Sequence, residues 1–269
     1  MGTGTIDLLK AVTLNQDEPP FAWDLLLGDS PMNHPYKKQA LLEAAIELFA
    51  KDGWKVIIHY NNSKADAEAL ADSINAKDSD TAFIVQGDLD KANDVKNIIS
   101  KVDGYTETIN LLINNASTFY PKKITDIDSN DWDKLMSSNL KTPIFLVSAL
   151  AEKLIKNNGH IVNITDIYAE QGMSGYSVYA AAKAGLYNLT KSLARELAPN
   201  VLVNSISPGS ILWDVNEPSE EKKKKILDSI PMKRLGSEKD IVMLADYLIT
   251  KNTYMTGRNI SVDGGKSLG

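Results

Sequence analysis

From residue 44 onward the hydrophobic positions follow a regular alternation. Short runs rich in Val, Ile and Leu give way to longer stretches whose apolar residues recur every three or four positions. These are the patterns of a buried strand and an amphipathic helix. "AAIELFAKDG" reads as a helix stopped by Gly53, and "KVIIHY" (Lys55–Tyr60) as a strand. "KADAEALADSINAK" is helical, "TAFIVQGD" (Thr81–Asp88) is extended, and a polar helix follows near Ala92–Val102. Next come the strand "NLLINNA" (Asn110–Ala116), one long helix over roughly Asp131–Lys156 and the strand "HIVNIT" (His160–Thr165). "AAAKAGLYNLTKSLARELA" is a helix ending at Pro199, with Leu186, Leu189, Leu193 and Leu197 as its core stripe. The strand "VLVNSIS" (Val201–Ser207), a helix near Glu238–Thr250 and the strand "NISVDGG" close the pattern.

Strands that are apolar throughout belong to a parallel sheet covered on both faces. The expected fold is therefore α/β, a Rossmann-type doubly wound parallel sheet in three α/β/α layers, with residues 36–269 forming one domain. No internal repeat and no Pro/Ser linker interrupts it. The lysine run Lys222–Lys225, behind Glu220 and Glu221, reads as a solvated helix face.

Composition removes several classes of function. The 269 residues are 43% hydrophobic, enough for one large domain or two small ones. Cysteine is absent, which rules out disulfides and thiolate chemistry. Three scattered histidines lack metal-ligand spacing, so no metal site is expected. A net charge of -6 argues against a nucleic-acid surface. With no secretory leader and no run of 18 apolar residues, a cytoplasmic protein that neither crosses nor binds a membrane is expected.

In an open parallel sheet, ligands sit at the carboxyl ends of the strands. Here those ends carry Asp88, then Asn114, Asn115 and Ala116, then Asp166, then Pro208 and Gly209. Just beyond Asp166, Tyr179 and Lys183 stand four apart, on one face of a helix. A free tyrosine, with a pKa of about 10, is a poor acid–base group near neutrality. An adjacent ammonium lowers that value, and Lys183 is expected to do so.

"NNA", "YAAAK" and "SPG", in this order and each after an apolar strand, resemble the short-chain dehydrogenase/reductase family over about residues 44–265. The resemblance implies catalytic roles for Tyr179 and Lys183, with Asn139 in "LMSSNLKTP" supporting a water-linked proton path to the lysine. It implies cofactor contacts at Asp88 for the adenine and at Asn114 and Ala116 for the ribose side. Tyr179 and Lys183 reach the nicotinamide ribose, and Pro208 and Gly209, with Ser210 beside them, form the turn for the carboxamide. A homotetramer or homodimer is implied as well.

Asp166 narrows the substrate. Most of that family has serine here, donating to a carbonyl oxygen. An ionised carboxylate is acceptor-only and would repel a developing oxyanion. It suits a substrate that presents N–H donors, such as one reduced at a ring C=N bond. The chain resembles the pteridine reductase branch, which carries aspartate at this place. In that branch the phenylalanine of "NNASTFYP", here Phe119, stacks on the flat pterin, and "GSILW" (Gly209–Trp213) resembles its substrate loop. The resemblance implies a pterin as small-molecule substrate, lined by Phe119, Asp166, Tyr179 and Trp213. Two alternatives stand beside it: a generic carbonyl or 3-oxoacyl reductase of the same family, and a non-catalytic relative that has lost its cofactor. For the cofactor, "IIHYNNSK" lacks the acid that NAD-preferring relatives place after the second strand. Asn61, Asn62, Ser63 and Lys64 are left to hold a 2′-phosphate, which favours NADPH.

The front of the chain departs from the family. The glycine-rich turn TGxxxGxG, or TGxxxRIG in the pterin branch, is missing, and its glycines fall on Tyr36 and Leu42. That turn lets the backbone approach the cofactor phosphates. Without a first strand the sheet would have two unpaired inner edges, so residues 1–35, an atypical segment, are expected to fill the slot. "WDLLLGD" (Trp23–Asp29), with Gly28 as a turn glycine, is the first candidate and "KAVTL" (Lys10–Leu14) the second.

Overall fold

The computed structural model describes residues 6–11, 54–61, 64–89, 91–211 and 219–269. Seven parallel strands form one sheet: β1 (Ile6–Ala11), β2 (Trp54–Tyr60), β3 (Ala82–Gln86), β4 (Leu111–Asn114), β5 (His160–Ile164), β6 (Leu202–Pro208) and β7 (Asn259–Val262). Their order across the sheet is β3-β2-β1-β4-β5-β6-β7. The chain runs outward in one direction from β1 to β3, then returns to β4 and runs outward in the other. The reversal lies between β1 and β4, and the crevice above a reversal is where such folds bind ligands.

The central slot is filled by Ile6–Ala11. Ile6 pairs with Trp54 on one side and Leu8 with Leu111 on the other. Both neighbouring edges thereby find partners for their N–H and C=O groups. The second candidate overlaps this strand only at Lys10 and Ala11. The segment Trp23–Asp29 with its Gly28, the positions Tyr36 and Leu42, and the helix expected before Gly53 lie outside the described residues.

Two apolar layers sandwich the sheet, because successive strand residues point to opposite faces. On one face Val56, Ile58, Leu111 and Ile113 meet Leu70 and Ile74 of α1 (Lys64–Asn75). They also meet Ile241 and Leu248 of α8 (Glu238–Thr250). On the other face Ile57, Leu112 and Ile161 meet Val102 of α2 (Ala92–Tyr105), Leu150 of α4 (Thr142–Lys156) and Leu193 of α6 (Ser177–Glu196). Leu186 and Leu193 of the expected stripe are buried, while Leu189 and Leu197 are partly buried against the same cluster. The lysine run forms part of α7 (Glu220–Asp228), where Lys223 pairs with Glu220 and Lys225 with Glu221.

The single helix expected over Asp131–Lys156 is two. α3 (Ser129–Met136) is opened by a reciprocal cap: Asp131 N–H donates to Asp128 Oδ1 at 2.8 Å, and Asp128 N–H donates to Asp131 Oδ2 at 3.2 Å. A π-turn, Ser137–Lys141, then separates it from α4. Pro143 has no N–H to give the Asn139 carbonyl four residues back, so the α-ladder cannot pass this point unbroken. A short helix absent from the expected pattern, α5 (Tyr168–Gln171), follows β5.

Candidate active site

The carboxyl edge of the sheet gathers most of the expected positions. Asn61 follows β2 and gives its main-chain carbonyl to Gln86 Nε2 at 3.3 Å. Asp88 follows β3; its N–H donates to Asp94 Oδ2 at 2.9 Å, and its carboxylate pairs with Lys91 at 3.0 Å. Asn114 ends β4, beside Ala11 at the reversal. Its Nδ2 donates to Asn163 Oδ1 at 2.8 Å, but its Oδ1 is buried and has no donor among the described residues. Buried polar atoms nearly always have a partner, so this oxygen is a candidate acceptor for a ligand.

Tyr179, Lys183 and Asp166 form the centre. Tyr179 and Lys183 project from successive turns of α6 and are both 1% exposed. The Tyr179 hydroxyl donates to Asp166 Oδ2 at 2.7 Å, and Asp166 Oδ1 accepts the Tyr168 N–H at 2.8 Å. Lys183 Nζ donates to the Ile164 carbonyl at 2.9 Å and stands 5.8 Å from the centre of the Tyr179 ring. Below Asp166, Asn259 Oδ1 accepts the hydroxyls of Thr165, Ser205 and Ser207 at 2.8, 2.8 and 2.9 Å. Ser207 Oγ also reaches the Asp166 carbonyl at 3.2 Å, tying the residue to β6 and β7.

The charges do not balance as expected from the sequence. Burial, then the Asp166 charge and its hydrogen bond, push the Tyr179 hydroxyl well above its ordinary pKa. Burial brings Lys183 down to about 8, with Asp166 pulling it back up. Burial also lifts the Asp166 carboxyl, against the Tyr168 N–H, the Tyr179 hydroxyl and the charges of Lys183 and Lys266. Tyr179 is thus raised rather than lowered: a carboxylate sits directly on the phenol, while the Lys183 ammonium gives one of its three N–H groups to a carbonyl.

Comparison with known proteins decides the family. Residues 38–267 match the family described as Enoyl-(Acyl carrier protein) reductase. The chain is a short-chain dehydrogenase/reductase. The 3-oxoacyl-(acyl-carrier-protein) reductase FabG of Staphylococcus epidermidis is 34% identical over 225 residues, 82% of this chain and 91% of the relative. The protein of the same name from Staphylococcus aureus matches to the same extent. The dihydromonapterin reductase of Enterobacter sp. is 34% identical over 217 residues, 79% of this chain and 86% of the relative. Membership makes the chain an NAD(P)-dependent reductase.

Within this short-chain dehydrogenase/reductase the remaining expected residues take varied places. Asn139 is fully buried in the π-turn. Its Oδ1 accepts from Ser117 Oγ at 2.5 Å, and its Nδ2 donates to the carbonyls of Thr118 and Leu135, both at 2.8 Å. Its amide is thus occupied in tying the turn to the "NNAST" segment. Ala116 packs against the α2–α4 layer. Gly209 has a local reason to be glycine: a Cβ there would stand 2.5 Å from Asp263 Cβ. Ser210 is buried and accepts from Lys266 Nζ at 2.7 Å. Asn62, Ser63 and Trp213 lie outside the described residues.

Phe119 departs most from expectation. It is 4% exposed and packed with Leu135, Val178 and Tyr179. Tyr176 stacks on it, and Tyr179 meets it edge-on at 4.6 Å and 81°. The ring expected to face a pterin is part of a small core, because two tyrosines of the "GYSVYA" stretch fold onto it. Three residues missed from sequence border the centre: Tyr168, Tyr176 and Lys266. For Tyr168 and Tyr176 the signal was present, as two further tyrosines in the stretch that holds Tyr179. For Lys266 it was not, since its place depends on a distant turn.

Among the described residues no cluster of three or more His, Asp or Glu side chains could hold a metal ion. Nor is any helix among them long and apolar enough to cross a membrane.

Proposed function

We propose that this reductase uses NADPH to reduce a pterin C=N bond, in the manner of dihydropterin to tetrahydropterin. The observation that carries the reading is Asp166. A buried carboxylate, bonded to the Tyr179 hydroxyl at 2.7 Å, occupies the place where a carbonyl reductase needs a donor. Its oxygens only accept while it is ionised, which matches the N–H edge of a pterin and opposes an oxyanion. A dihydromonapterin reductase among the similar proteins lends the substrate class support.

The residues present fit a dinucleotide. Asn114 Oδ1 offers an acceptor to a ribose hydroxyl at the strand reversal. Lys183, Asp88, Ala116 and the turn Pro208–Ser210 are the further contacts we assign to it, with Asn61 at the 2′-phosphate end. NADPH, when bound, supplies the hydride. The chain's own residues manage protons and position. Asp166 accepts hydrogen bonds from the substrate ring. Tyr179 holds its proton firmly at the oxygen nearest that carboxylate and releases it only as the substrate nitrogen gains basicity. The ionised carboxylate only accepts, so a proton lost from Tyr179 is replaced from water rather than from Asp166. Lys183 holds the ribose and supplies the balancing charge.

A second reading rests on Phe119. Its burial takes away an open stacking face, and the FabG proteins named above are as similar to this chain as the pterin enzyme. That favours a 3-oxoacyl or other carbonyl reductase. The test is loss of the NADPH absorbance band with dihydropterins and with 3-oxoacyl thioesters in parallel. Turnover of the dihydropterin is expected. Turnover of the thioester alone would overturn the pterin reading in favour of the second.

A further inference from the structure

Between β4, β5 and α6, three polar side chains are buried where packing alone asks for apolar ones. Thr190 lies on α6 seven residues after Lys183, on the face that also buries Leu186 and Leu193. Asn163 on β5 is the register partner of Asn114 on β4, so the two side chains leave the sheet on the same face. Asn163 and Thr190 are fully buried, and Asn114 nearly so. Polar groups are costly to bury unless they are hydrogen-bonded. A valine would fill the place of Thr190 without that demand.

The three are joined in one line, and the chemistry of each atom fixes the direction of the line. Thr190 Oγ1 lies 2.9 Å from the Leu186 carbonyl. A carbonyl only accepts, so the hydroxyl hydrogen is used there. Thr190 Oγ1 then has only lone pairs left, and its neighbour at 2.9 Å must be the donating Nδ2 end of Asn163. Asn163 thereby turns Oδ1 toward Asn114, whose Nδ2 donates to it at 2.8 Å. What remains is Asn114 Oδ1, buried, without a donor among the described residues, on the residue that pairs with Ala11 at the strand reversal. Turning either amide round would set two donors or two acceptors against each other. One main-chain carbonyl of α6 thus decides, through three side chains, that the crevice meets an acceptor and not a donor.

We propose that Thr190 and Asn163 are positioning residues for the cofactor: they hold the Asn114 amide with its oxygen toward the crevice, so that this point takes a ligand hydroxyl and turns away a phosphate or carbonyl oxygen. Both act through Asn114 and not on the ligand itself. The inference rests on the reading of Asn114 as a ribose contact and is independent of the pterin. It also gives the same helix two tasks toward one cofactor, since α6 carries Lys183 and, two turns on, the residue that orients Asn114.

Calorimetric titration of the full chain with NADPH tests this and needs no substrate. Thr190→Val removes the hydroxyl at nearly constant shape and frees the Asn163 amide to turn. NADPH affinity should fall about 2-fold if the Asn114 amide then turns freely and half the molecules present the wrong end, and up to about 10-fold if its hydrogen bond is lost altogether. Thr190→Ser keeps the hydroxyl and should bind NADPH like the parent. Asn114→Ala should itself weaken binding. In that background Thr190→Val should cost nothing more, because its effect passes through the missing amide. Circular dichroism checks folding, and Thr190→Ala, also without the hydroxyl, takes the place of Thr190→Val if the valine variant does not fold. Equal weakening by Thr190→Val in the parent and in the Asn114→Ala background would overturn the inference, leaving Thr190 a packing residue. Weakened binding in Asn114→Ala beside unchanged binding in Thr190→Val would overturn it alone. Unchanged binding in Asn114→Ala would overturn the ribose contact and the inference together.

Discussion

The rings of Phe119 and Tyr176 are stacked, with centroids 4.6 Å apart and planes 8° from parallel. The flat face that a heterocyclic substrate would use is therefore covered by the chain's own aromatic ring. A buried Phe→Ala change costs roughly 3 kcal/mol or more, so Phe119→Ala should lower unfolding stability by about that amount. Urea denaturation measures it; a change near zero would mean the ring is not part of a packed cluster.

Tyr176 gives the complementary test. If a pterin takes its place on Phe119, the substrate competes with an aromatic pair of ~0.5–1.5 kcal/mol. Tyr176→Leu should then lower KM for the dihydropterin roughly 2- to 10-fold at similar kcat. A raised KM would show instead that Tyr176 helps to hold the substrate.

Tyr179→Phe should reduce kcat by roughly 10²–10⁴-fold, the usual contribution of a positioned acid–base group. NADPH affinity, followed by calorimetry, should change little, because the lost hydroxyl faces Asp166 rather than the ribose contacts of Lys183. Near-full activity in this variant would remove Tyr179 from the mechanism.

Asp166 should show opposite effects on stability and activity. Burial raises its carboxyl pKa, so the folded state binds the proton more tightly than the unfolded chain and ionisation opposes folding. Below the unfolded-state pKa both states carry the proton and there is no penalty. As pH rises through the folded pKa the penalty becomes complete. Asp166→Asn, of equal size, should therefore be more stable than the parent at neutral pH, with a gain that fades as the solution is acidified. The same variant should reduce pterins poorly, and Asp166→Ser should lose pterin turnover while gaining weak ketone reduction. Equal pterin rates for Asp166→Ser and the parent would make the carboxylate structural.

Lys183 sets the alkaline limit. With its pKa brought down to about 8, its ammonium is lost well before that of an exposed lysine, and kcat/KM should fall above about pH 8. The unfolded chain retains that proton to higher pH, so the cost of burying the charge is present below about 8 and is relieved as pH rises past it. Lys183→Met should accordingly raise the melting temperature near neutrality, and the gain should shrink toward alkaline pH. A melting temperature below the parent's at pH 7 would show that the bond to Ile164 outweighs the buried charge.

The strands from Trp54 onward were legible because each carries a short cluster of Val, Ile or Leu between helical stretches, as in "VII" of β2 and "LLI" of β4. The motif residues were legible because their spacing is tied to those strand ends. Ile6–Ala11 was not, since Asp7 and Lys10 break the run and its place is set by two distant partners rather than by local pattern. The break in the helix at Ser137–Lys141 was written in Pro143, but apolar periodicity continues across it and hides it. The covering of Phe119 and the proton held on Tyr179 depend on which groups fold against them, and no spacing rule states that.

The position of β1 also governs the order in which the molecule can assemble. Its two neighbours, β2 and β4, come from well apart in the chain, and neither can be replaced by a local hairpin. The middle of the sheet therefore closes only when Leu111–Asn114 is available to meet Leu8–Ala11. Contacts so distant in sequence slow folding, and edges left waiting are exposed to other chains. For this reductase, yield on refolding should be governed less by the stability of the finished sheet than by how long its central seam stays open.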